Sequence, residues 1–165
     1  MLKYLIIGFA VLLSHFGNCQ CGELPNDFVL EKAEDYSEHE TLVISLMTCL
    51  TRTPKELNEK DTEESTAFCL IWLAGAPNVM VDVDTSVALF LEENPELLYV
   101  YIFNLALLEM NESTLSINEK EAEAQYQVAL YQEKTSSFKD AKELKKIKKK
   151  YEKNKLVDYI KELRN

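Results

Sequence analysis

The stretch NPELLYVYIFNLALLEM, residues 94–110, decides the fold class. Asn94 is a residue type that caps helices, because its side-chain oxygen accepts an amide hydrogen that the first turn leaves unbonded. Pro95 suits the first helical position, where its fixed φ fits and its missing N–H costs nothing. Glu96 faces the positive end of the helix dipole. From Leu97 to Met110 apolar side chains point in almost every direction around a helix, which predicts a helix buried at the centre of the fold. The run is too short to cross a bilayer, which takes about 20 residues.

Working outward, the same periodicity recurs on both sides. Leu42, Val43, Leu46, Met47 and Leu50 share one face, and Pro54 closes that segment. Asp61 or Thr62 is placed to cap a second helix, whose apolar run AFCLIWLA (67–74) stops at Gly75 and Pro77. Val79, Val81 and Val83 alternate with polar or exposed-type neighbours. A lone strand has nothing to pair with, so an extended linker is expected there, followed by a short helix from Thr85 or Ser86 to Glu92. Beyond the central run, Ser116 or Asn118 can cap a helix carrying Ala122, Tyr126, Ala129 and Leu130 on one stripe. Ser137, with Asp140 three residues on, opens the last segment. Its buried face is Phe138, Ala141, Leu144, Ile147 and Tyr151, continuing through Leu156, Tyr159, Ile160 and Leu163 after a break near Asn154.

Four Gly and four Pro in 165 residues leave little material for the turns of a sandwich or barrel. The expected architecture is therefore all-α: a compact bundle of five to six helices around one buried central helix, following a signal peptide. Residues 20–37 read as an extended lead-in, 38–165 as a single helical domain, and 137–165 as its basic C-terminal part.

The N-terminus carries the marks of export. Lys3 precedes the apolar run YLIIGFAVLL (4–13), about half the length of a membrane span. Gly17 and Cys19 suit the −3 and −1 positions of a cleavage site, leaving residues 1–19 as the leader and Gln20 as the new terminus. The rival reading is a lipid anchor at Cys19 or Cys21, although neither has the aliphatic residue at −3 that acylation favours. A secreted or periplasmic location follows, or a lipoprotein attached at Cys19, with no transmembrane helix in the mature chain. Cys49 and Cys69 both sit in apolar helical runs. Buried thiols are the simpler reading of them, and a Cys49–Cys69 disulfide is the alternative an oxidising compartment allows.

Charge divides the chain. Residues 20–136 hold 23 acidic and 6 basic side chains, residues 137–165 hold 5 and 11, so an acidic body carries a basic tail. Lys145, Lys146, Lys149 and Lys150 are the candidate docking residues of that tail, for an unknown protein or an anionic envelope component. Nucleic acid is disfavoured by export and by the net charge of −10.

Chemical signatures are scarce. His39 is the one histidine outside the leader and lies between Glu38 and Glu40, where a solvated surface role is expected. No short-spaced set of His and Cys suggests a metal, and no Gly-rich loop suggests a phosphate, so no cofactor is expected. Asp82, Asp84, Ser86 and Glu93 fall at calcium-loop spacing, but Val87 stands where that loop requires glycine. Asn111-Glu112-Ser113 is a glycosylation sequon. Phe68, Trp72, Phe90, Tyr99, Tyr101 and Phe103 read as core. The leading expectation is an exported, non-enzymatic binding or inhibitor-type protein. A small hydrolase built on paired carboxylates, or a carrier of an apolar ligand, is the alternative.

Overall fold

The computed structural model describes residues 21–25, 27–52, 58–111, 114–135 and 141–165. The leader, Cys19, Pro54, the Glu112 and Ser113 positions of the sequon, and Ser137 with Asp140 lie outside these residues. The described residues form six α-helices and two 3₁₀ turns, with no strand among them. No helix among them is long and apolar enough to cross a membrane.

Helix α1 spans Ala33–Arg52, opening earlier than the expected position near Glu38. The Asp35 carboxylate accepts the Glu31 and Lys32 amide hydrogens at 2.9 Å each. Those backbone bonds satisfy the helix start and hold Asp35 below the usual carboxylate range. Helix α2 spans Glu59–Gly75 and is capped by Asn58, which accepts the Asp61 amide at 3.0 Å. Asp61 lies inside the first turn instead of capping it. Gly75 does end α2, but not through a left-handed φ, which no described glycine adopts. It is needed because Tyr36 crosses its surface: a Cβ there would lie 2.7 Å from the ring carbon Cζ. The Trp72 indole fastens the same crossing by donating to the Tyr36 carbonyl at 3.0 Å.

Residues 79–83 belong to no helix or strand, which agrees with a linker there. The helix expected over 85–92 shrinks to a 3₁₀ turn, Leu89–Glu92. Asp84 accepts both the amide (2.9 Å) and the hydroxyl (2.5 Å) of Ser86, and a side chain bonded to the backbone two residues on competes with helix formation. Asn94-Pro95 opens a second 3₁₀ turn, Pro95–Leu97, without a side-chain cap, and α3 follows as Leu98–Met110.

Helix α4 spans Ile117–Lys134 and is preceded by Ser116, whose amide donates to the Glu119 carboxylate at 2.8 Å. Helices α5 (Lys142–Tyr151) and α6 (Leu156–Arg164) are separated at the anticipated break. Asn154 takes φ 54°, a conformation asparagine tolerates better than most. Its amide donates to the Tyr151 carbonyl and that of Lys155 to the Lys150 carbonyl, both at 2.8 Å, which closes α5 with a Schellman turn.

Two apolar clusters result. One gathers Val43, Leu46, Met47, Leu50, Phe68 and Trp72 from α1 and α2. The other gathers Phe90, Leu97, Val128, Leu144, Ile147, Leu156 and Ile160 from the 3₁₀ turns and α4 to α6. Helix α3 feeds both, with Phe103, Ala106 and Leu107 toward the first and Val100, Tyr101 and Leu105 toward the second. Burying each large side chain contributes roughly 1.5–3 kcal/mol. Helix α4 packs against α1, α3, α5 and α6, while α3 packs chiefly against α1 and α4.

One cysteine expectation is corrected. Cys49 is bridged to Cys21, with Cα atoms 5.6 Å apart, and not to Cys69. The lead-in folds back along α1, packing Leu24 and Leu30 on the first cluster, and brings Cys21 to Cys49. Cys69 is an unpaired thiol with no solvent exposure, and burial pushes its pKa up to about 12.

Candidate functional site

The buried face of α4 is not the stripe its apolar residues suggest. Ala122 and Ala129 are buried as expected, but Tyr126 and Leu130 are only half-buried, and Glu121 and Gln125 take the inner positions. Glu121 is 1% exposed and is the centre of a polar cluster. It accepts the Tyr101 hydroxyl and pairs with the Arg164 guanidinium at 3.3 Å. Arg164 also reaches Asp84 at 2.9 Å and the Asn118 side-chain oxygen. Gln125 donates to the Val87 carbonyl at 3.1 Å. Loss of water around Glu121 raises its pKa, with the Tyr101 hydroxyl and Arg164 pulling it back. Asp84 moves the other way, lowered by the Ser86 and Arg164 bonds.

Chemically this is a fork: one cation holds two carboxylates from distant parts of the chain. It ties α6 to α4 and to the turn before α3. A general acid paired with a general base needs room for substrate between the carboxylates. Here a guanidinium occupies that position. Asp84 is likewise spent on Ser86 and Arg164, and among the described residues no group of three or more His, Cys, Asp and Glu is arranged to hold a metal ion. His39 is half-buried, its ring edge-on to Phe68 at 5.9 Å, and so less solvated than its acidic neighbours suggest.

The four candidate docking lysines separate into two kinds. Lys145 and Lys149 are exposed on the outer face of α5. Lys146 and Lys150 turn toward α6 and lie over the Tyr159 ring at 4.1 and 4.4 Å. Lys146 also bonds the Tyr159 hydroxyl and pairs with Glu143 at 3.3 Å, and that hydroxyl donates to Glu143 at 2.7 Å. Lys148 pairs with Glu133 of α4 at 2.7 Å. Lys142, Lys145 and Lys149 are exposed, three and four residues apart, on the face opposite the buried Leu144 and Ile147. Lys142 is exposed on the same face of α5 as Lys145. Helical spacing counted back from Lys149 would have found it.

Clefts accompany these features. One of about 250 Å³ lies between Glu119, Ala122, Tyr151 and Leu156. Its edge is stiffened by Tyr126 stacked on Tyr151 at 3.8 Å, and a bond to Glu123 pushes the Tyr151 hydroxyl up to about 12. Another, of about 290 Å³, opens beside Met80, Leu105 and Glu121. A third, of about 330 Å³, lies between α1, α3 and α4 and is lined by Arg52, Asn104 and Glu123 among others. Asn104 is 2% exposed, and its side-chain oxygen has no hydrogen-bond partner among the described residues. Leaving such an acceptor unsatisfied costs about 1–3 kcal/mol.

Compared with family models, with characterised proteins and with solved structures, the chain matches none.

Proposed function

We propose that this is an exported protein that acts by binding, with the outer face of α5 docking an anionic partner. The observation that carries the reading is the row of exposed lysines along one face of α5. Lys146 and Lys150 clamp Tyr159, which fixes α5 against α6, and Lys142, Lys145 and Lys149 stand together on the opposite, solvent side. A cationic stripe on a helix already packed in place needs no backbone ordering on binding and complements a polyanion or an acidic protein surface. The acidic body repels the same partner and so orients it toward α5. Export is supported by the leader pattern, and also by the Cys21–Cys49 bridge, since disulfides persist in oxidising compartments.

The test is a pull-down from the envelope or secretome of the source cell with the mature chain, beside Lys142→Glu/Lys145→Glu/Lys149→Glu. Lys146 and Lys150 are left in place because changing them would loosen α6. A partner retained at low salt, released at moderate salt and absent from the triple variant supports the reading. A partner held equally by both proteins, or by neither, sinks it.

A further inference from the structure

We propose that the cleft between α1, α3 and α4 binds a small zwitterion of the α-amino-acid type, its carboxylate on Arg52 and its ammonium toward Glu123. Arg52 ends α1 half-buried in this cleft, and its guanidinium has no hydrogen bond or ion pair with any described residue. Burial lowers its pKa, and Glu123 is the charge that offsets this, yet the two are not ion-paired. A guanidinium cannot lose its proton in a protein, so it needs an acceptor, and a carboxylate takes two of its N–H groups in parallel.

The opposite wall offers acceptors. Glu123 is held in place by the Tyr151 hydroxyl at 2.5 Å and the Gln127 amide at 2.7 Å, which leaves lone pairs on both oxygens. Asn104 and Asn111 each turn their NH₂ onto their own helix, to the Val100 carbonyl at 2.8 Å and the Leu107 carbonyl at 2.7 Å. Neither amide is thereby turned to compete with Glu123 for a cation, and the Asn104 oxygen is buried beneath the cleft wall. A simple anion would meet Glu123, and a simple cation would meet Arg52. A molecule carrying both charges fits each end, and Ile44 and Leu108 offer an apolar wall for its side chain. A volume of about 330 Å³ sits at the small end of ligand sites, which suits one amino acid and not a lipid.

The experiment is calorimetric titration of the chain with each free α-amino acid, then with the N-acetyl and methyl-ester forms of any that bind. At least one free amino acid should saturate the site, and blocking either end should weaken it by about tenfold or more. Arg52→Gln should do the same. Glu123→Gln, which keeps the side-chain shape and removes the charge, should weaken free amino acids by a similar factor. It keeps the idea testable should the arginine variant fold poorly. No saturable binding by any free amino acid at millimolar concentration, or equal binding of the blocked forms, overturns the proposal.

Discussion

Helices α1 and α2 meet through rings, His39 edge-on to Phe68 and Tyr36 tilted on Trp72, and the lead-in is fastened to them by Phe28 edge-on to Phe68 and by the Cys21–Cys49 bridge to α1. Helices α4, α5 and α6 meet instead through charge and hydroxyls. Arg164 forks between Asp84 and Glu121, Lys146 and Lys150 cover Tyr159, and Tyr151 donates to Glu123. Both regions enclose ordinary apolar clusters, but their fastenings respond to different agents. Apolar contact and a covalent bond ignore salt and mild pH change, whereas ion pairs and partly buried carboxylates do not. The chain's single tryptophan lies in the first region, so its fluorescence reports on that region, while tyrosine absorbance is weighted to the second.

The comparison can be broken most forcefully at Trp72. Trp72→Ala should cost about 3–5 kcal/mol, read as a fall in the urea midpoint that is the same at low and high salt. Next, Cys21→Ser removes a bridge spanning 28 residues and should cost about 3 kcal/mol. Reductant should reproduce that loss in the wild type and add nothing in the variant.

Arg164→Gln should cost about 2 kcal/mol near neutral pH, because it leaves Glu121 buried without its cation. The sign of its pH dependence is definite. Glu121 has a raised pKa, so the folded protein holds a proton that the unfolded chain has released, and stability falls as pH climbs from the ordinary glutamate value to the folded one. Arg164→Gln should steepen that fall, and Glu121→Gln should abolish it. Asp84, whose pKa is lowered, contributes stability above its ordinary value and loses it as pH drops through the folded one. Chemical denaturation across the acid range checks both signs. If the Trp72 signal shows the same pH slope as the tyrosine signal, the two regions unfold as one unit and the contrast between them is only local. Smallest of all, Tyr159→Phe should cost about 1 kcal/mol, in a salt-sensitive way, by removing the hydroxyl that links Lys146 to Glu143.

The two regions also differ in how far their sequence could be read. Leu42 to Leu50 and the run before Met110 announce helices because apolar spacing maps directly onto a buried face. The break at Asn154 was legible for the same reason, as an interruption between two stripes. Polar residues that go inward give no such sign. Glu121 and Gln125 count as surface in any periodicity argument, and only Tyr101, Arg164 and Val87 around them make their burial tolerable. Cys21 sits in a segment with no periodicity, so nothing local links it to Cys49. Cys49 and Cys69, each embedded in an apolar run, read more simply as buried thiols, with a bridge between them as the alternative. The lysines of α5 were visible as charge. That Lys146 and Lys150 belong to Tyr159 depends on how sharply the chain folds back at Asn154, which is set by backbone geometry and not by composition.

The crossing of Tyr36 over Gly75 has a consequence for how this sequence can drift. Any side chain at position 75 collides with the tyrosine ring while that ring keeps its bond to the Leu30 carbonyl at 3.2 Å. A smaller residue at position 36 removes the obstacle. A side chain at position 75 is therefore tolerated best after Tyr36 has been replaced, and a chain that keeps the Tyr36 bond to Leu30 is best served by glycine at 75.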